Sequence, residues 1–240
     1  MIIIPARLGS TRLPGKVLAE INGVAMIVHV LRRAVAAEIG PVAVAVCEEE
    51  VAAVVREAGG VAVMTDPALA SGSDRVYAAL QRIDPEGRHD VVINVQGDLP
   101  AIDPRDLGEV LRPLAGFDIG SLVAPITTPG EATARSVVKC ACGFVDEAAV
   151  ARALYFSRGQ VPSGEGPLWH HVGVYAYHRA ALARFVALPP SVLELREQLE
   201  QLRAMEAGMS IGVARIAQAP FGVDTAADLA HARAMMAAAP

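Results

Sequence analysis

Residues 1–16 read MIIIPARLGSTRLPGK, and the order of residue types in this stretch decides the class of fold. Ile2, Ile3 and Ile4 form a short, wholly apolar run, as expected of a strand covered on both faces in a parallel sheet. From Arg7 to Lys16 the chain turns to Gly, Ser, Arg and Pro, and carries three cations, Arg7, Arg12 and Lys16. Glycine permits close backbone approach, free N–H groups bind anionic oxygens, and guanidinium forks grip phosphate. A glycine-bearing loop directly after the first strand therefore reads as a phosphate-binding loop, the alternative being a solvated basic loop. It is neither a Walker A sequence nor a G-x-G-x-x-G fingerprint, which disfavours an ordinary kinase or dehydrogenase.

Outward from this stretch, strand and helix signals alternate. Met26, Ile27, Val30, Leu31 and Ala34 recur at helical spacing, Val42–Val46 reads as a strand, and 51–58 reads as a helix stopped by Gly59-Gly60. Val61–Met64 is a third strand, and Ser71-Gly72-Ser73-Asp74 opens a helix with Asp74 near its start. Strand 91–95 ends at Gln96-Gly97-Asp98-Leu99-Pro100. The alternation predicts an α/β fold with a doubly wound, mostly parallel sheet. Past about residue 118 the pattern changes. Strands are expected at 119–123, 137–140, 171–177 and 211–216, a long helix over 193–207, and a final helix after Asp224. The expected organisation is a single domain, 1–240, with an α/β core over about 1–125 and 191–240 and a smaller β-rich lobe over about 126–190.

Composition narrows the function. Hydrophobic residues make up 53% and charged residues 20% of the 240-residue chain, which excludes intrinsic disorder. A net charge of −5 argues against a nucleic-acid binder working by bulk positive charge. No uninterrupted apolar span is long enough for a membrane helix, and no basic n-region precedes Pro5, so a cytoplasmic location is expected. Cys47, Cys140 and Cys142 are too few and too oddly numbered for a disulfide framework. Only Lys16 and Lys139 are lysines among the 21 basic residues. Codon bias explains the arginines, but Lys16 falls on the phosphate loop.

Ligands of open parallel sheets bind beyond the carboxyl ends of the strands. The loop after Ile4 and the segment Gln96-Gly97-Asp98 both fall there. Magnesium takes one or two carboxylates together with phosphate oxygens, so Asp98 opposite a phosphate loop has a clear use, with structural capping as the alternative.

Here the chain resembles the 3-deoxy-manno-octulosonate (Kdo) cytidylyltransferases, or CMP-Kdo synthetases. The matching blocks are P-A-R-x-x-S-T-R-L-P-G-K at 5–16, Ile21-Asn22-Gly23 with Met26–Val30, S-G-S-D-R at 71–75 and V-N-V-Q-G-D-type residues at 93–98. Further blocks are A-L-Y-F-S-R at 153–158, H-V-G-V-Y-A-Y at 171–177, Leu193-Glu194 with Glu197, 199–203, and Gly222-Val223-Asp224-Thr225. They lie in the family's order and span almost the whole chain. The resemblance implies a nucleotidyltransferase, Rossmann-like, that activates an acidic sugar with CTP for lipopolysaccharide biosynthesis. The sugar's anomeric hydroxyl would attack the α-phosphorus and release pyrophosphate. Carried over, Arg7, Lys16, Asp98 and Asp224 would be catalytic. CTP would be bound by Arg7, Ser10, Arg12, Lys16, Ser71, Arg75, Gln96 and Asp98. Asp98 and Asp224 would hold Mg²⁺. The sugar would be bound by Arg158, His171, Glu200 and Gln201, although His171 also reads as a buried strand residue and Glu200 as a partner for Arg203. Tyr155 and Tyr175 read as packing residues, and Lys139 as either a sugar-lobe contact or a solvent-facing strand residue. A homodimer joined through the sugar lobe is expected, with no nucleic-acid or membrane partner.

Three departures stand out. The usual Q-G-D-E-P reads Gln96-Gly97-Asp98-Leu99-Pro100, the 160–169 segment is shorter and lacks an I-P-W block, and the usual T-D near 46–50 is replaced by Cys47-Glu48-Glu49-Glu50. They leave the nucleotide half intact and the exact sugar open, with 8-amino-Kdo and sialic acid as alternative acceptors and a non-catalytic nucleotide binder as the alternative class.

Overall fold

The computed structural model describes residues 1–10, 12–146 and 148–237. Thr11, in the middle of the glycine-bearing loop, lies outside the described residues. The chain divides into two compact units, one built from residues 1–107 and the segment from Pro220 onward, the other from 108–219.

In the first unit, β1 (Ile2–Pro5) is followed by a small hairpin, β2 (Glu20–Ile21) and β3 (Val24–Ala25), and by α1 (Met26–Ala36). Then come β4 (Val42–Val46), α2 (Glu49–Glu57), β5 (Val61–Met64), α3 (Gly72–Ile83) and β6 (Val91–Asn94). The larger sheet runs β5-β4-β1-β6 with every pair parallel. Ile2, Ile3 and Ile4 are fully buried, as an apolar run in a central parallel strand requires. The first crossovers step outward from β1 to β4 and β5, and the next returns to place β6 on the other side of β1. The order therefore reverses between β1 and β6, and a crevice opens there beyond their carboxyl ends. The hairpin was not foreseen. Its turn residues Asn22 and Gly23 have φ of 52° and 81°, the pair of positive values that an Asn-Gly type I′ turn needs.

The second unit holds β7 (Ile119–Pro125), β8 (Lys139–Cys142), β9 (Val150–Ser157), β10 (Trp169–His178) and β11 (Ile211–Arg215) in the order β10-β7-β11-β9-β8. Only β7 and β11 pair in parallel. A bridge between His170 and Lys139 joins β8 back to β10, so the five strands close on themselves. The compact units part at 107/108 and 219/220, so β7 and β11, which pair with β10 and β9, fall in the second unit.

The long helix expected over 193–207 is instead two short helices, Val192–Glu197 and Gln201–Glu206. Gln198 between them is left-handed, with φ 56° and ψ 48°. Tertiary bonds explain the break. Arg158 donates from Nε to the Glu197 carbonyl at 2.9 Å and from Nη2 to the Gln198 carbonyl at 3.3 Å, removing acceptors a continuous helix would use. No helix among the described residues is long and apolar enough to cross a membrane.

Candidate active site

A cavity of about 400 Å³ opens at the carboxyl ends of β1 and β6, lined wholly by the first unit. Three segments build it. The 7–16 loop folds on itself around Leu8, whose carbonyl accepts from the amides of Ser10 (2.8 Å) and Gly15 (3.1 Å). Gly15, at φ 68°, then turns the chain so that Lys16 opens a short 3-10 turn. Arg7, Ser10, Arg12 and Lys16 all line the cavity.

The second segment is the amino end of α3. Ser71 is the N-cap, with Asp74 closing a capping box: the Ser71 hydroxyl accepts from the Asp74 amide at 3.1 Å, while the Asp74 carboxylate accepts from the Ser71 amide at 3.0 Å. Ser71 and Gly72 line the cavity, so the helix presents its positive end to whatever anion binds there. One turn in, Arg75 is buried. It donates to Thr65 Oγ1 at 2.6 Å and to the Asp66 carbonyl at 3.3 Å, which fixes its guanidinium in the cavity wall.

The third segment follows β6. Gln96 donates to Asn94 Oδ1 at 3.3 Å and lines the wall. At Gly97 a Cβ would sit 3.1 Å from the Pro5 carbonyl oxygen, a tight contact that glycine avoids. The Asp98 carbonyl accepts from the Val223 amide at 3.0 Å, which ties the distant 220–224 segment to this strand end. Val223 packs with Ile21, Met26, Leu229 and Ala232, and Leu13 lies against the same cluster. This small core is what carries Asp224 to the 7–16 loop. Leu99, where the family's usual glutamate would stand, is buried and faces Gly222.

The result is a charge cluster. Lys16 Nζ lies 2.8 Å from Asp98 Oδ2 and 2.9 Å from Asp224 Oδ1, and Arg12 Nη2 lies 2.9 Å from Asp224 Oδ2. Burial works against the Lys16 ammonium, but the Asp98 and Asp224 carboxylates outweigh it and hold its pKa above the ordinary value. The lysine side chain is 12% exposed, the carboxylates 31% and 42%, so both acids keep open coordination positions. Two carboxylates converging within hydrogen-bond length of one cation is a donor set that suits Mg²⁺, which completes its shell with phosphate oxygens and water.

The residues expected on the sugar side, Arg158, His171, Glu200 and Gln201, belong to the second unit, and their side chains are mostly engaged within it. His171 is buried on β10. Its Nε2 lies 2.9 Å from Ser121 Oγ and its Nδ1 3.5 Å from Gln201 Nε2, while the rings of Phe156 and Tyr175 pack against it. Burial, reinforced by His170, lowers its pKa to about 3, so the ring is neutral. Gln201 is buried with it. The Arg158 guanidinium donates to the carbonyls of Arg135, Glu197 and Gln198. Arg203 makes its close fork onto Glu194, at 2.6 and 2.8 Å, and stands 3.9 Å from Glu200. Lys139 is not solvent-facing but fully buried. Its ammonium donates to the carbonyls of Ala134, Val137 and Arg158 at 2.7, 2.8 and 3.3 Å. The sequence reading did not assign Ser121 and Glu197. The hydroxyl of Ser157 and the amide of Arg158 both donate to the Glu197 carboxylate at 3.0 Å.

The cytidylyltransferase family profile matches residues 1–211. The chain belongs to the cytidylyltransferase family. Among its relatives, a Methylobacterium radiotolerans protein named 3-deoxy-manno-octulosonate cytidylyltransferase is 59% identical over 238 residues, covering 98% of this chain and 96% of the relative. A protein of the same name from Parvibaculum lavamentivorans is 58% identical over 239 residues, covering 99% and 92%. A solved CMP:2-keto-3-deoxy-manno-octonic acid synthetase complexed with CTP superposes with a TM-score of 0.88 at 39% identity, covering 98% of this chain and 97% of the other. The cytidylyltransferase family thus accounts for the α/β architecture.

Proposed function

We propose that this cytidylyltransferase transfers CMP from CTP to the anomeric hydroxyl of 3-deoxy-D-manno-octulosonate, giving CMP-Kdo and pyrophosphate. The observation that carries the reading is the convergence of Arg7, Arg12, Lys16, Asp98 and Asp224 on one cavity beside the positive end of α3. High-identity relatives bearing the corresponding name support the choice of CTP and Kdo.

Phosphoryl transfer asks a protein mainly for positioning and charge neutralisation. Arg7 and Lys16 grip the triphosphate, the amino end of α3 adds its dipole, and Arg75 and Gln96 shape the nucleotide wall. Lys16, on a flexible stem, can follow charge as it shifts toward the leaving pyrophosphate. Asp98 and Asp224 would hold Mg²⁺, which would supply Lewis acidity to the transfer. The sugar side falls to the second unit, with Glu200 and Arg158 as its polar groups and His171 and Gln201 as the buried support behind them. A Rossmann-like description of the core, a homodimer joined through the β-rich unit, a cytoplasmic location and a place in lipopolysaccharide biosynthesis complete the reading.

The test is CTP- and Mg²⁺-dependent pyrophosphate release with Kdo, its 8-amino analogue and sialic acid. Release with Kdo above the other two is expected. A preference for either alternative moves the acceptor assignment, and no release with any of them sinks the catalytic reading.

A further inference from the structure

The run Glu48-Glu49-Glu50, one of the departures from the family's pattern, leads into α2. Glu49 and Glu50 are exposed, but Glu48 is partly buried. Glu48 stands at the N-cap with extended backbone, φ −115° and ψ 135°, yet its side chain makes no cap hydrogen bond. Its Oε1 reaches across 40 residues of sequence to accept the Leu8 amide at 3.1 Å.

Leu8 is the hub of the phosphate loop. Its carbonyl already holds the amides of Ser10 and Gly15, and Gly15 leads directly into Lys16. With Glu48 on its amide, both polar backbone groups of Leu8 are fixed, one to the loop and one to the body of the unit. We propose that Glu48 is a positioning residue that anchors the phosphate-binding loop through the Leu8 amide. The inference rests on the loop being the triphosphate site. Glu48 Oε2 is buried without a hydrogen-bond partner of normal geometry among the described residues, although the Cys47 thiol, a weak donor, sits against the carboxylate. A carboxylate kept there at that cost suits a site whose cations must be held to a fraction of an ångström.

The test compares Glu48→Ala, Glu48→Gln and, as a control, Lys16→Ala by CTP calorimetry, steady-state kinetics and thermal unfolding. Glu48→Ala should raise the Kd and KM for CTP roughly tenfold, with the sugar KM changed less than about twofold and unfolding nearly unmoved. Glu48→Gln, whose amide oxygen still accepts the Leu8 N–H, should recover most of the loss. Wild-type CTP affinity in Glu48→Ala, alongside loss in Lys16→Ala, overturns the anchor and leaves the phosphate loop standing. Unchanged CTP affinity in Lys16→Ala removes the phosphate-loop reading, and the anchor with it. Failure of Glu48→Gln to outperform Glu48→Ala also overturns it. Hydrogen exchange at the wild-type Leu8 amide needs no variant: protection supports the anchor, and exchange at the rate of an open loop overturns it.

Discussion

The two units use polar residues in opposite ways. Around the phosphate loop, Lys16, Asp98, Asp224 and Arg12 bond to one another at the edge of an open cavity, and the carboxylates stay about a third exposed. Around His171, the imidazole, Ser121 and Gln201 bond to one another in the interior, and Lys139 spends its ammonium on backbone carbonyls. The first arrangement can trade internal partners for a ligand at little cost because water already reaches it. The second cannot, because every bond it gives up leaves a buried group unsatisfied. Polar residue type alone does not separate a binding group from a structural one.

The largest expected effect breaks or confirms the open side. Asp98→Asn should lower kcat/KM by about a hundredfold or more, on the scale of losing one preorganised charge in a transfer site, while thermal unfolding barely changes. Lys16→Arg should also impair turnover, since a planar fork cannot sit between Asp98 and Asp224 as a compact ammonium does. Near-wild-type rates in either variant would put the chemistry elsewhere.

Next comes the closed side. His171→Leu should cost about 1–3 kcal/mol in denaturant unfolding, because Ser121 and Gln201 lose a partner, with turnover per folded molecule nearly unchanged. A hundredfold rise in the Kdo KM of a folded variant would instead make His171 a sugar ligand and erase the contrast. Lys139→Arg should destabilise by about 1–3 kcal/mol through overpacking of a fully buried site. Unchanged stability would show that the Ala134–Val137 turn is looser than its three bonds suggest.

The pH profile sharpens the same contrast. The folded pKa of His171, about 3, lies below its ordinary value of 6.5. An unfolded chain therefore takes up a proton that the folded chain refuses. Its contribution is fully present above about pH 6.5 and is lost as the pH falls toward 3. Denaturation midpoints should fall across that window in the wild type and fall less in His171→Leu. Equal slopes would assign the acid sensitivity to other groups. The smallest effect is expected at the surface, where Leu195 is 68% exposed and Leu195→Ser should change monomer stability by about 0.5 kcal/mol or less.

Legibility in the sequence followed the range of the interactions. Every nucleotide-side residue expected from the motifs lines the cavity, because these residues sit on loops immediately after strands or at a helix start, where local pattern fixes position. The long helix failed at Gln198 because its leucines do not share one environment. Leu199 and Leu202 are buried and Leu195 is exposed, and the deciding bonds come from Arg158, about 40 residues away. Glu48 was hidden for the same reason, its partner being Leu8.

By itself, then, the stretch from Met1 to Lys16 determined a buried first strand and a loop of cations and glycine, since apolar runs and turn residues act locally. Only the tertiary structure decided which charges face a ligand. Asp224 meets Lys16 across 208 residues because the small core around Val223 carries it there. The second of the two lysines, Lys139, is consumed by carbonyls that no spacing in the sequence places beside it. Burial and partners set the working state of an ionisable group, and both are properties of the folded chain.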